Sequence, residues 1–142
     1  MQEALALARA AAEAGEVPVG ALVVKDGVIL GRGANRPVAT HDPTAHAEII
    51  ALREAAAALG TDRLTGCDLW VTLEPCAMCA GAIAHARIKR LYYGASDPKG
   101  GAVEHGPKLF RQATVHHRPE VYGGICEDEA AALLKTFFEA RR

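Results

Sequence analysis

The chain has 142 residues, 50% of them hydrophobic, with 16 Lys and Arg against 17 Asp and Glu for a net charge of −1. That length suits one domain with a real core, and the near-neutral balance argues against generic binding to polyanions. No apolar run approaches a membrane span, and four cysteines without a secretory signal point to the reducing cytoplasm.

Residues 1–15 are alanine-rich but carry Glu3, Arg9 and Glu13, which suits an amphipathic helix and not a signal peptide. Residues 20–25 and 28–32 flank Asp26-Gly27, a strong two-residue hairpin signal. Asp42-Pro43-Thr44 offers capping and turn residues, after which Ile49, Ile50, Leu52 and Leu59 form a helical apolar pattern that stops at Gly60. A strand is predicted at 69–73, then a helix that Pro75 opens and that runs to about Ala86. Residues 88–93 read as a further strand. The last helix spans 127–141, with Leu133, Leu134, Phe137 and Phe138 on its apolar side. Between them the glycine- and proline-rich stretch 94–124 accommodates one short helix near Lys108 and one short strand near Val121. This order predicts an α/β sandwich: a mixed five-stranded sheet with helices on both faces, in one domain over residues 1–142.

Two short words carry the chemistry. His46-Ala47-Glu48 and Pro75-Cys76-Ala77-Met78-Cys79 supply one imidazole, two thiolates and a carboxylate. A structural zinc site would want four protein ligands, whereas three leave a position for water, which zinc activates at neutral pH. The ligands are then His46, Cys76 and Cys79, Glu48 is the general base, and the reaction is metal-assisted hydrolysis. Residues two apart on a helix point to nearly opposite sides, so His46 and Glu48 converge only at a helix start. Cys76 and Cys79, three apart, share a face, and a helix N-terminus favours their thiolates. A C-x-x-C pair alone also fits a redox couple, or with Cys67 and Cys126 a four-cysteine structural site; the separate His-x-Glu favours the catalytic reading. Otherwise Cys67 and Cys126 read as small buried apolar residues, and His41, His85, His105, His116 and His117 as ordinary histidines.

Charge becomes informative when localised. From 87 to 118 there are seven Lys or Arg (Arg87, Lys89, Arg90, Lys99, Lys108, Arg111, Arg118) against Asp97 and Glu104, a local charge of +5. This is either a solvated basic face or a phosphate-contacting surface, and Arg141-Arg142 could extend either.

The H-x-E and P-C-x-x-C words match the signature of zinc base deaminases. The flanking words Val17-Pro18-Val19-Gly20-Ala21, Asn35-Arg36-Pro37, His41-Asp42-Pro43-Thr44-Ala45, Val71-Thr72-Leu73-Glu74, Met78-Cys79-Ala80-Gly81-Ala82 and Gly94-Ala95 narrow it further. Through them the chain resembles the bacterial tRNA-specific adenosine deaminases over nearly its whole length, with the loosest match at 104–124. The resemblance implies a three-layer α/β/α cytidine-deaminase-like fold, one Zn2+ per subunit, and conversion of the wobble adenosine of a tRNA anticodon loop to inosine. It implies that Glu48 relays protons to N1 and to the departing ammonia, and that Asn35 hydrogen-bonds the base. Val17 and Ala47 would line the pocket, with Asp97 and Lys99 beside the bound loop. Without the resemblance Asn35 would be an ordinary turn asparagine, and Tyr92 or Tyr93 either core or stacking residues. The family is homodimeric, and Ala80-Gly81-Ala82 with Ala84 gives the cysteine helix a small-residue face for close packing. Two other readings share some of these residues: a zinc deaminase of free guanine, cytosine or cytidine, and a non-catalytic zinc-stabilised RNA-binding protein, for which Glu48 would have no use.

Overall fold

A computed structural model describes residues 1–141; Arg142 of the terminal arginine pair lies outside the described residues. The elements are α1 (Gln2–Glu13), β1 (Gly20–Lys25), β2 (Val28–Ala34), α2 (Pro37–Thr40), α3 (Ala47–Leu59), β3 (Asp68–Leu73), α4 (Ala77–Ala86), β4 (Arg90–Ala95), a single 3-10 turn (Leu109–Arg111), β5 (Glu120–Tyr122) and α5 (Glu127–Glu139). The strands form one sheet in the order β2-β1-β3-β4-β5. β1 pairs antiparallel with β2 and β3, whereas β3, β4 and β5 run parallel. The sheet is therefore mixed and five-stranded, with α3 and α4 against one face and α1 and α5 against the other, a cytidine-deaminase-like α/β/α arrangement.

Strand alternation sorts the two faces. Leu69 and Val71 of β3, with Leu91 and Tyr93 of β4, enter the main core together with Leu52, Leu64, Ile83 and Ile88. On the other face α1 buries Ala4, Leu5, Ala8 and Ala11 at helical spacing, and Leu5 meets Ala95 and Ala130. Trp70, Tyr92 and Tyr122, in register across β3, β4 and β5, stack there with ring centroids 4.0 and 5.1 Å apart.

α3 does not bury the apolar stripe expected of it. Its inward face is Ala47, Glu48, Ala51, Leu52 and Ala55, while Ile49 and Ile50 are only half-buried and Leu59 is exposed. The reason lies in β2, where Gly31 and Gly33 face the helix: a Cβ at either would run into the carbonyls of Ala51 and Ala47. Alanine against glycine lets the helix backbone approach the strand closely, and large side chains are left at the margins. α4 divides similarly. Ala80 and Ala84 are in the protein's own core and Gly81 and Ala82 are at its edge, so these small residues do not form one outward face. In α5, Phe137 is buried but Phe138 is 49% exposed.

The parallel pairing of β3 and β4 sends both C-terminal ends the same way, and the antiparallel hairpin brings the start of β1 and the end of β2 to that same end. Residues 17–19, 35, 74–79 and 96–105 are thereby gathered where sheets of this kind place their sites.

Candidate metal centre and substrate cleft

His46 is the N-cap of α3, extended at φ −74 and ψ 153, and Cys76 is the N-cap of α4 at φ −74 and ψ 176. Each helix thus starts immediately after a ligand-type residue, and Glu48 and Cys79 follow within the first turns. The ligand atoms of His46, Cys76 and Cys79 lie within 4.8 Å of one another, the only such group of three or more His, Cys, Asp or Glu among the described residues. His46 Nδ1 is 3.7 Å from Cys76 Sγ and 3.5 Å from Cys79 Sγ. Tetrahedral zinc with bonds of about 2.3 Å to sulfur and about 2.1 Å to nitrogen would separate N and S by about 3.6 Å, so the donor set fits that ion in type and spacing. Cys67 and Cys126 are free thiols away from this group, Cys67 fully buried with burial raising its pKa.

The electrostatics suit a cation. A hydrogen bond from Cys79 draws the Cys76 thiol down to about 5 against the opposing effect of burial. The same bond and burial hold Cys79 well above the usual thiol range. Metal ligation requires both thiols deprotonated, and the start of α4 favours that charge. Glu48 is almost wholly buried, and burial above all pushes its carboxyl up to about 7.

Asn35 is buried beside this centre, and its side chain does a job the sequence did not announce. Its Oδ1 accepts the Ala47 N–H at 2.8 Å, capping α3 from outside. Asp42, expected near the cap, instead closes its own turn by accepting the Thr44 N–H and hydroxyl at 2.9 and 2.7 Å. Since a side-chain amide both accepts and donates, Asn35 keeps its Nδ2 protons for another partner. α2, a four-residue helix with no local signal beyond Pro37, begins two residues after Asn35. The buried Glu16 holds its start, accepting the Val38 and Ala39 N–H groups at 3.1 and 2.8 Å.

A cleft of 850 Å³ lies at the same end of the sheet. Val17, Asp97 and Lys99 share its wall with Leu134, Phe138 and Arg141 from the C-terminal part of the chain. Ala47 and Asn35 are not in that wall. Asp97 shapes its own turn, its Oδ1 accepting the N–H groups of Lys99 and Gly100 at 3.2 and 2.9 Å. The sequence singled out no role for Glu74, yet it is the most connected side chain here. Its one legible signal was a charge placed between an apolar strand and Pro75-Cys76.

The basic stretch is not one surface. Arg87 to Arg90 stand at the start of β4, whereas Lys99 lies beyond its far end. Several of its charges are also engaged: Arg90 with Asp68 and Glu120, Arg111 with Glu104, and Arg118 with the carbonyls of Phe110 and Gln112.

The family described as MafB19-like deaminase matches residues 1–142. A tRNA-specific adenosine deaminase of Agrobacterium fabrum (strain C58) is 56% identical over 142 residues, covering 100% of this chain and 93% of that protein. A solved structure from studies of A-to-I editing by tRNA:A34 deaminases at the wobble position is 57% identical, with a TM-score of 0.93 over 94% of this chain and 97% of the other. A guanine deaminase from Nitrosomonas europaea is more distant at 30% identity, with a TM-score of 0.78 over 96% of this chain and 81% of that one.

Proposed function

The chain belongs to the MafB19-like deaminase family, and from that premise we infer that it is a hydrolase that deaminates the wobble adenosine of a tRNA anticodon loop to inosine, releasing ammonia. The observation that carries this reading is the whole-length identity of 56% to a tRNA-specific adenosine deaminase. The gathered His46, Cys76 and Cys79 beside a buried Glu48 support it.

In this reading His46, Cys76 and Cys79 hold one Zn2+ per subunit. Zinc bound there lowers the pKa of water to about 7 and so makes a nucleophile available at neutral pH. Glu48 moves the protons: it takes one from the attacking water and gives it to N1 of the purine, then takes the second from the hydroxyl now on C6 and gives it to the amino group, so that ammonia leaves and the C6 carbonyl of inosine remains. Its burial keeps bulk water from competing for those protons. Asn35 donates from Nδ2 to the base while its Oδ1 stays on Ala47, so base recognition is tied to the helix start that carries His46. Val17 stands in the cleft wall with Asp97 and Lys99, which flank the loop, while the buried Ala47 bounds the base partly through its backbone. Anticodon-loop bases are already unstacked, so extruding the target costs less than in a duplex.

Residues 1–142 act as one deaminase domain and pair as a homodimer. A groove of 370 Å³ between α3 and α4, walled by Ile49, Leu52, Ala56, Ala82 and Ala86 and edged by Arg53, Asp62 and His85, offers a mixed surface for that pairing. Among the described residues no helix is long and apolar enough to cross a membrane, and the enzyme acts where tRNA is matured, in the cytoplasm.

The test is incubation of the zinc-loaded protein with an anticodon stem-loop bearing a wobble adenosine, with guanine, cytidine and adenosine in parallel. Inosine in the stem-loop and slow turnover of the small substrates is the expected outcome. Fast turnover of guanine or cytidine with none on the stem-loop contradicts it.

A further inference from the structure

Glu74 has no part in the chemistry above, yet its carboxylate is fully enclosed and accepts five hydrogen bonds. Oε1 takes the Asp97 N–H at 3.0 Å and His105 Nδ1 at 2.8 Å. Oε2 takes the N–H groups of Val103, Glu104 and His105 at 3.1, 2.9 and 3.1 Å. The backbone on either side is locked to the same loop: the Glu74 N–H donates to Ala95, and Ala102 donates to the Pro75 carbonyl at 2.9 Å. Gly101 completes the wrap. A Cβ there would sit 2.5 to 2.6 Å from the Glu74 carboxylate and from the Asp97 carbonyl.

A buried carboxylate with that many donors is a nucleus around which a loop can fold. Residues 97–105 contain no helix or strand; beyond the Asp97 turn and two backbone bonds, Gly101 to Asp97 and Ala102 to Pro75, the Glu74 carboxylate is what ties the two ends of the loop together. The two ends of the network differ in what they serve. The Oε1 side fixes Asp97, whose turn sets the direction of Lys99, while the Oε2 side fixes the returning segment. Cys76 is two residues along from Glu74, so the loop and the metal ligand are held from one point of the chain.

We propose that Glu74 is the positioning residue of the substrate loop: its carboxylate holds residues 97–105 in register with the Cys76 segment, and thereby sets the RNA contacts made at Asp97 and Lys99. This rests on the reading of 97–99 as the stretch beside the bound RNA.

The geometry predicts an asymmetric response to Glu74→Gln. An amide keeps one acceptor oxygen, which stays with the three N–H groups on the Oε2 side. Its NH2 then occupies the Oε1 position, where His105 Nδ1 can accept but the Asp97 N–H faces another donor and is orphaned. The variant therefore loosens Asp97 and Lys99 and leaves the metal ligands in place.

The experiment combines amide hydrogen exchange on the free protein with zinc content, stem-loop affinity and turnover. For Glu74→Gln, exchange at 97–101 quickens and zinc stays stoichiometric. The stem-loop Kd rises about tenfold, as expected for one buried donor left without a partner. At saturating RNA kcat changes by less than about threefold, because the reacting groups are untouched. His105→Ala, which removes the ring at the surface end of the network and leaves the fold intact, quickens exchange at 97–105 on a smaller scale. Parent-like exchange in both variants overturns the proposal. So does a fall in kcat that tracks lost zinc with no change in Kd, since Glu74 would then serve only the metal-ligand segment. If the parent protein ignores the stem-loop while Glu74→Gln still loosens 97–101, the positioning role stands and the RNA reading falls.

Discussion

Asn35 Oδ1 accepts the Ala47 N–H at 2.8 Å, so one side chain caps the helix behind His46 and keeps its Nδ2 protons for another partner, which in the proposed reading is the base. The two jobs can be separated. Asn35→Asp retains an acceptor for Ala47 but loses the Nδ2 donor; it should fold and load zinc normally and lose stem-loop turnover. Asn35→Ala loses both, and thermal or denaturant unfolding should show an added cost of about 1 kcal/mol for the missing cap. Equal activity in Asn35→Asp and the parent would remove Asn35 from base recognition.

Glu48 and Cys76 should fail in different ways. Glu48→Ala is expected to keep stoichiometric zinc while activity falls by about a hundredfold or more. Cys76→Ala should lose the metal and, because ligation is coupled to folding, melt at a lower temperature. Metal analysis alongside kinetics distinguishes them: zinc lost from Glu48→Ala in proportion to activity would make the carboxylate a ligand and not a proton carrier.

Gly33 lies under the first turn of α3, where an added Cβ would press on the Ala47 carbonyl. Gly33→Ala should therefore cost about 1–3 kcal/mol by overpacking. It should also weaken zinc affinity by displacing the helix start that holds His46, whereas Gly27→Ala, in the open hairpin turn, should leave zinc affinity alone. Parent-like zinc affinity in Gly33→Ala would show that the helix start tolerates the shift.

Lys99 stands in the cleft wall and Lys89 at the opposite end of β4. Lys99→Ala should weaken stem-loop binding and flatten the dependence of log Kd on log salt by about 0.7 for one lost contact to single-stranded RNA. Lys89→Ala should do neither. Identical salt slopes for parent and Lys99→Ala would reduce the RNA surface to a solvated face.

What was legible in the sequence followed local rules. Asp26-Gly27 announced the β1–β2 hairpin, and the two-residue spacing of His46 and Glu48 required the helix start that the structure has at Ala47. What was illegible depended on partners far along the chain. α2 is four residues long and is held by Glu16, more than twenty positions earlier. The Glu74 network is invisible because its partners are mostly backbone N–H groups, which every sequence offers. Counting charge from 87 to 118 overstated the basic surface, since Arg90 sits beside Asp68 and Glu120, both outside that stretch, and the remaining charges fall at opposite ends of β4. The large apolar residues of α3 misled about its buried face because glycines on another element set the packing distance.

The most direct test of the central claim is inosine mapping of cellular tRNA after loss of this protein, with the parent or Glu48→Ala restored from a plasmid. Wobble inosine should vanish on loss, return with the parent and stay absent with Glu48→Ala. Wobble inosine that persists unchanged without the protein, or that Glu48→Ala restores in full, would contradict the account.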